Sequence, residues 1–175
     1  MEHLGIVRRI DELGRIVIPK GMRNAMRLKV GDEMEIYSFD DAITLKRFNR
    51  YESIKESACA VAKLLAEYAG ADAIIVDSSK VVIAEGENKK TYINRNVCGE
   101  FSDAISKRRS VVLHGDDLKS VFENAECNCC YLVYEPIVVG GDNFGGIAIL
   151  LNSLPSDVAR AYLKFCAELI GTNIK

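Results

Sequence analysis

The chain has 175 residues, of which 49% are hydrophobic, so it can form one ordinary domain or two small ones around a real core. No window reaches the apolar length of a membrane span, and the start, MEHLGIVRR, lacks the pattern of a secretory signal. We therefore expect a cytoplasmic protein without a membrane partner, whose six cysteines are reduced thiols rather than a disulfide framework.

Charge is divided unevenly along the chain. Residues 1–30 carry seven basic and three acidic side chains, whereas residues 51–175 carry thirteen basic and seventeen acidic ones. The first segment therefore has a net charge of +4 and the last a net charge of −4. A basic end on a mildly acidic body is typical of a nucleic-acid-binding head joined to another module. Chance clustering of charge is the alternative.

The first 50 residues predict two short strands, a helix and a β-hairpin. Both short strands are rich in β-branched residues, and the DELG between them suits a turn. These elements, in chain order, span residues 5–10, 15–18, 20–28, 33–39 and 42–48. A head of this size buries little surface by itself, so we expect it to need a partner chain.

The rest of the chain predicts an α+β domain, an antiparallel sheet that carries helices. Helices are predicted over 52–71, 91–109 and 155–174, and strands over 71–77, 80–86, 110–115 and a hairpin at 131–152. The first helix has a heptad-like apolar stripe, which suits either packing within its domain or an intersubunit seam. The last helix has an apolar stripe of Val158, Tyr162, Phe165 and Leu169.

Arginines interrupt the two short N-terminal strands. If DELG is a four-residue loop, Ile10 pairs with Arg15, and Arg8 then shares a face of the hairpin with Arg15. Arg9 points to the other face, so we expect its substitution to cost less DNA binding than that of Arg8. Two arginines this close repel each other unless an anion lies against them.

The predicted helix adds to this positive charge. At about 100° per residue, Lys20, Arg23 and Arg27 fall on one stripe, with two methionines opposite. Hairpin and helix together predict a basic surface suited to DNA phosphates. Solvated faces of a small domain are the alternative.

The run GIVRRIDELGRIVIPK, with the following MR, GDEMEIY and ITLKRF, resembles the AbrB-type swapped-hairpin DNA-binding domain of bacterial transition-state regulators. The tail is similar to a GAF domain in length and element order. The two in this order resemble a sporulation transcription regulator. The resemblance implies an α+β protein with an AbrB-like, dimeric swapped-hairpin β-barrel over residues 1–50 and a GAF-like regulatory domain over 51–175.

The same resemblance implies how the head acts. Hairpins of two chains interleave in a homodimer, further contacts give a homotetramer, and arginines at the positions of Arg8, Arg15 and Arg23 contact double-stranded DNA of the nucleoid. The family usually has an arginine where this chain has Asn24, and often an acidic residue in place of Gly21. The predicted DNA-binding residues are Arg8, Arg9, Arg15, Lys20, Arg23, Asn24 and Arg27.

The GAF resemblance implies a sensor or oligomerisation domain with a small-molecule ligand, which the sequence does not identify. No cofactor is predicted. Two glycine pairs, 140–141 and 145–146, predict hairpin turns rather than a phosphate cradle, since no helix start follows them. The basic cluster at 107–109 ends a predicted helix, where positive charge complements the helix dipole; a second nucleic-acid site is the weaker interpretation.

Cysteines are concentrated in the run CNCC. Cys127, Cys129 and Cys130, with Cys98 and His114 elsewhere, offer soft ligands for zinc or thiols for oxidation sensing. Because C-x-C-C lacks the usual C-x₂-C spacing and has no second paired motif, we predict loop and core thiols and no metal.

These patterns predict a DNA-binding protein, and the family resemblance implies a sequence-specific transcription regulator of sporulation genes. An enzyme is not predicted, because His114 has no nucleophile or carboxylate beside it in the local sequence. Two alternatives stay open: an antitoxin-like protein-interaction module, and a small-molecule-binding GAF protein whose head only dimerises.

Overall fold

The structure is a computed structural model that describes residues 5–28, 30–48 and 50–174. The chain divides into two compact units, Met1–Phe48 and Asn49–Lys175. Each unit is described by itself below.

The described residues of the N-terminal unit form a helix and a two-stranded antiparallel sheet. Helix α1 spans Lys20–Ala25, and strands β1 and β2 span Met34–Phe39 and Ala42–Arg47. The hairpin predicted from the alternation of residues 33–48 is therefore confirmed. Within the described range 5–28, the two strands predicted over 5–10 and 15–18 are not formed in this chain, because no strand ladder joins them.

The N-terminal unit has no core of its own among its described residues. None of them is buried, and the apolar side chains face solvent, with Val7 89% and Val17 73% exposed. Covering apolar side chains of this kind with another surface is energetically favourable. This exposure is consistent with the expectation, drawn from the small size of the head, that it needs a partner chain.

The C-terminal unit is built on a five-stranded antiparallel sheet with the strand order β4-β3-β7-β6-β5. The strands are β3 Asp72–Val76, β4 Val81–Glu85, β5 Val111–His114, β6 Tyr131–Val139 and β7 Asp142–Leu151. Gly140 and Gly141, with φ of 60° and 91°, form the two-residue turn between β6 and β7. The predicted antiparallel α+β domain is confirmed.

Within residues 50–174, four α-helices flank this sheet: α2 Lys55–Ala69, α3 Lys89–Tyr92, α4 Gly99–Ser106 and α5 Asp157–Asn173, with 3₁₀ turns at Arg50–Glu52 and Gly115–Ser120. The single helix predicted over 91–109 is wrong, because Asn94 takes a left-handed φ of 61° and Val97 bridges to Phe122. Across the described ranges, no helix is both long and apolar enough to cross a membrane.

The sheet separates two apolar cores, since neighbouring strand residues point to opposite faces. On one face, Ile75 lies in the core that includes residues of α2 and α5. On the other, Ile74 lies in the core that includes Phe101 of α4 and the buried Tyr92 and Tyr134. The unit is thus three layers deep.

Helix α5 has apolar residues on two faces. The predicted stripe is turned outward over much of its length, with Val158 63% and Phe165 57% exposed. The side chains that α5 buries are Leu163, Cys166, Ala167 and Ile170. Helical periodicity identifies both stripes but does not decide which one faces the sheet.

Candidate nucleic-acid interface

Asp11 organises the N-terminal turn. Its Oδ1 accepts hydrogen bonds from the backbone N–H groups of Leu13 at 3.0 Å and Arg15 at 2.8 Å. Its Oδ2 accepts from Arg15 Nε at 2.7 Å. The backbone N–H of Gly14 donates to the Asp11 carbonyl at 2.9 Å, and Gly14 takes a left-handed φ of 75° that a side chain would disfavour. Aspartate and glycine at these turn positions thus have separate physical roles.

The register of the turn differs from the predicted one. The backbone N–H of Asp11 donates to the Arg15 carbonyl at 3.1 Å, so Asp11, and not Ile10, lies opposite Arg15. The predicted pairing is therefore wrong by one residue, because three residues rather than four separate the paired positions. Alternation from this pair places Arg9, not Arg8, on the face of Arg15. The register therefore no longer supports the expectation that substituting Arg9 costs less DNA binding than substituting Arg8.

Arg15 changes the acidity of Asp11 in this turn. Hydrogen bonds from the backbone and then the guanidinium of Arg15 lower the pKa of Asp11. The carboxylate is therefore ionised at neutral pH and offsets part of the positive charge of Arg15, while both side chains stay open to solvent. Asp11 orients the arginine at the same time as it reduces the local positive charge.

Helix α1 presents Lys20, Arg23 and Asn24 to solvent and then ends abruptly. The N–H of Leu28 donates to the Arg23 carbonyl at 2.8 Å, and the N–H of Arg27 donates to the Asn24 carbonyl at 3.1 Å. These are the two bonds of a Schellman cap, with Arg27 in the left-handed position that glycine usually takes, at φ 52°. The helix predicted to residue 28 is therefore shorter, and Arg27 leaves the helical stripe.

Arg47 holds the end of this helix and was missed by sequence reasoning. Its Nη2 donates to the carbonyl of Arg27 at 2.6 Å and more weakly to that of Met26 at 3.4 Å. The same nitrogen lies 3.0 Å from Asp32 Oδ2, and both side chains are largely buried. The sequence signal was a pair of opposite charges, Asp32 just before β1 and Arg47 at the end of β2. Arg47 ties the capping residue Arg27 to β2.

The predicted DNA-binding residues all lie on the exposed surface of the N-terminal unit. The structure brings Arg23, Asn24 and Arg27 together through the helix cap and joins Arg15 to Asp11. The guanidinium of Arg8 makes a bond of 3.2 Å to the adjacent Val7 carbonyl. The arrangement offers several cationic and hydrogen-bonding side chains on a small unit, which is the chemistry that duplex phosphates need.

The basic cluster of the C-terminal unit is engaged by its own domain. Lys107 lies 3.0 Å from Asp103, and Arg109 lies 3.7 Å from Glu100. Arg108 donates to the carbonyl of Gly141. These contacts favour the helix-end role over a second nucleic-acid site.

The second glycine pair lies within β7 rather than in a turn. A side chain at Gly145 would collide with the carbonyl oxygen of Val76, and one at Gly146 with that of Glu135. These glycines allow neighbouring strands to approach closely. The predicted turn is therefore wrong for this pair, and the pair does not form a phosphate cradle either. In the part of the chain that the structure describes, no group of three His, Cys, Asp or Glu residues is arranged to hold a metal ion.

Two family models match the chain. The model described as stage V sporulation protein T C-terminal, transcription factor, matches residues 53–174. The model described as antidote-toxin recognition MazE, bacterial antitoxin, matches residues 7–50. The two matches meet close to the boundary between the two compact units.

Similar individual proteins also match the chain as an N-terminal and a C-terminal unit. Stage V sporulation protein T of Bacillus subtilis is 34% identical over 152 residues, covering 85% of this chain and 84% of that protein. The transition state regulatory protein AbrB of the same organism is 46% identical over 48 residues, covering 27% of this chain and 50% of AbrB. The GAF domain of an Acinetobacter phosphoenolpyruvate-protein phosphotransferase superposes with a TM-score of 0.59 at 12% identity, covering 70% of this chain and 82% of that one. The chain therefore has a GAF fold after an AbrB-like head, and it belongs to the stage V sporulation protein T family of transcription factors.

Proposed function

We propose that this protein regulates transcription during sporulation by binding double-stranded DNA through the basic side chains of its N-terminal unit. The single observation that carries the proposal is the exposed cationic surface around the Asp11 turn and the capped helix α1. The family to which the chain belongs supports the same assignment. The family resemblance implies Arg8, Arg15 and Arg23 as the principal contacts. The register of the turn adds Arg9, which shares the face of Arg15, and Lys20, Asn24 and Arg27 lie on the same unit.

The DNA-binding head works as a homodimer in which two copies interleave. The apolar side chains of the first hairpin are exposed in one chain, and its two short segments, both within the described range 5–28, form no ladder with each other. A second copy supplies both the missing backbone partners and the apolar cover. Two heads in one dimer then present their arginines to two sites on the same duplex.

The C-terminal unit joins dimers into a homotetramer. Leu64 and Tyr68 of α2 and Val158 and Phe165 of α5 are exposed apolar side chains on helices that pack against each other. Tyr68 and Tyr162 lie with ring centroids 4.5 Å apart, which links the two exposed stripes into one surface. A surface of this kind on a transcription factor suits self-association.

The opposite face of the GAF-like sheet is the place for a small-molecule ligand. Aromatic rings occupy this face. The ring centroids of Phe101 and Tyr134 are 5.4 Å apart, and those of Tyr92 and Phe122 are 5.3 Å apart. The hydroxyl of Tyr134 donates to the carbonyl of Gly145 at 2.9 Å. A ligand on this face would displace one of these rings, so binding would couple to a rearrangement of α4 or of the segment after β5.

An antitoxin-like interaction module is the second candidate, because residues 7–50 match a model of bacterial antitoxins. The C-terminal unit argues against this role as the primary one, since it folds around two cores of its own instead of forming a short recognition segment. The proposed regulator acts by binding duplex DNA, whereas an interaction module would act by binding another protein.

The test uses the full-length protein and duplex DNA across a range of salt concentrations. We expect salt-dependent binding by the native chain and a flatter slope for the Arg8→Ala/Arg15→Ala double variant, by roughly 0.9 for each phosphate that is no longer neutralised. Lys107→Ala/Arg109→Ala removes the same charge from the C-terminal unit and is expected to leave the slope unchanged. Equal slopes for the native chain and the first double variant would overturn the assignment of the interface, and a dimer without DNA binding would overturn the function. Genome-wide mapping with the same variants then locates the sites.

A further inference from the structure

Two cysteines of the C-terminal unit lie in direct contact. The Sγ atoms of Cys127 and Cys129 are 3.2 Å apart, and either thiol can donate to the other. The structure holds both as free thiols. The sulfur atoms of a disulfide are about 2.05 Å apart, so the two Sγ atoms need to approach each other by roughly 1.2 Å. These two positions are thus already a dithiol pair in the folded protein.

The backbone fixes this pair directly before the start of β6. The N–H of Cys130 donates to the carbonyl of Leu151 at 2.9 Å, which anchors the chain directly after the pair to β7. Cys127 and Cys129 pack against the core on the α4 side of the sheet, yet both are only partly buried. The pair is therefore held in place and still accessible to a small oxidant.

The two thiols have different acidities. The hydrogen bond from the Cys129 thiol lowers the pKa of Cys127, although partial burial opposes this effect. The same bond, followed by burial, raises the pKa of Cys129. Cys127 is therefore the more acidic thiol of the pair. A low-pKa, accessible thiol beside a second thiol is the arrangement that oxidation-sensing cysteines share.

We propose that Cys127 and Cys129 form a reversible disulfide when the protein meets a hydroperoxide. The Cys127 thiolate attacks the peroxide oxygen, the O–O bond breaks, and the leaving alkoxide or hydroxide takes up a proton, which leaves Cys127 as a sulfenic acid. The sulfur of Cys129 then attacks the sulfur of Cys127, and the S–S bond forms as water leaves with the Cys129 proton. Two thiols are thereby oxidised as one peroxide is reduced, and a small dithiol reverses the step by exchange.

The site is independent of the DNA contacts, and its consequence lies in the core beside it. Tyr92 is buried in the same core that Cys127 and Cys129 pack against. A bond between the two sulfurs would constrain the segment against the aromatic face of the sheet. This places oxidation on the face where a GAF-like ligand would bind.

Tryptic mapping of the full-length protein tests the proposal. Lys119 and Arg160 are the nearest cleavage sites, so Cys127, Cys129 and Cys130 stay on one peptide, residues 120–160, while the other cysteines fall on different peptides. The reduced protein is treated with a small molar excess of hydrogen peroxide and then alkylated. We expect one alkyl group on this peptide instead of three, and recovery of all three after dithiothreitol. Three alkyl groups after peroxide, or a link to another chain, would overturn the proposal.

Variants locate the bond. Cys130→Ser is the matched control, because it removes an adjacent exposed thiol, and its oxidised peptide is expected to carry no alkyl group. If that peptide instead keeps two, the bond depends on Cys130 and the proposed pair is wrong. Cys129→Ser/Cys130→Ser is expected to trap a sulfenic acid on Cys127 that reacts with dimedone, whereas Cys127→Ser/Cys130→Ser is expected to give much less. Equal labelling of the two would contradict the role of Cys127. The native-chain mapping decides the main point even if a variant folds poorly.

Discussion

The carboxylate of Asp11 bonds both the backbone and the side chain of Arg15, with Oδ1 2.8 Å from its N and Oδ2 2.7 Å from its Nε. One acidic side chain thus closes the turn and orients an arginine that we propose as a DNA contact. An exposed ion pair contributes little stability. Its importance here is geometric, because it limits the directions that the guanidinium can take.

The first prediction concerns the pH dependence of this turn. The pKa of Asp11 is lowered in the folded turn, so its contribution is fully present above the ordinary carboxyl pKa of about 3.9 and is lost as pH falls through the lower folded value. We expect the amide NMR signals of Leu13 and Arg15 to shift together below about pH 4. Asp11→Asn keeps an acceptor but cannot titrate, so its signals are expected to stay fixed. A midpoint at or above the ordinary value would contradict the bonded geometry.

The second prediction separates the backbone of Arg27 from its charge. Arg27 occupies a left-handed position, which costs a residue with a side chain roughly 1–2 kcal/mol. Arg27→Gly and Arg27→Ala both remove the guanidinium, but only glycine relieves this strain. We expect Arg27→Gly to be more stable than Arg27→Ala by about 1 kcal/mol in denaturant unfolding at equal protein concentration.

DNA binding by the same two variants tests the charge. If Arg27 contacts a phosphate, both variants lose the same share of the salt slope, roughly 0.9 per phosphate. A slope equal to that of the native chain in both would remove Arg27 from the interface. Different slopes in the two variants would show that the helix cap, rather than the charge, controls binding.

The sequence predicted the C-terminal unit well, because its strands are apolar runs between clear turn signals. Ser156 caps α5, accepting from the N–H of Ala159 at 3.1 Å. The same reasoning failed where several weak preferences compete. Asn94 breaks a helical pattern by taking a left-handed φ, and a bridge from Val97 to Phe122 replaces the helix there.

At the candidate interface, sequence reasoning found the residue types but not their geometry. The turn at DELG was recognised, but the side chain of Asp11 closes it one residue tighter than the strand pattern implies. Arg47 could not be found from periodicity, because its partners are carbonyl oxygens about 20 residues away that exist only once α1 has ended. The strands predicted within residues 5–18 are not formed in one chain; in the interleaved dimer that we propose, a second copy supplies their backbone partners.

The third prediction concerns Arg47. Arg47→Met removes the guanidinium that donates to the Arg27 carbonyl and the Asp32 carboxylate, and we expect a loss of about 1–3 kcal/mol in the free energy of unfolding. Duplex affinity should fall as well, because the capped end of α1 is no longer held. Lys46→Met is the matched control: it lies on the same strand, is exposed and should change stability by less than about 0.5 kcal/mol. Equal losses in the two variants would refute the role of Arg47 as a clamp.

The fourth prediction concerns the outer apolar face of α5. Phe165 is 57% exposed beside Tyr162, so Phe165→Glu removes apolar area from the proposed tetramer contact and puts a charge in its place. We expect sedimentation velocity to show dimers instead of tetramers, because burying an unpaired carboxylate in an apolar contact is costly. Leu154→Glu makes the same kind of change at an exposed loop residue outside the two helices and should leave the assembly intact. A tetramer that survives Phe165→Glu would place the dimer–dimer contact elsewhere.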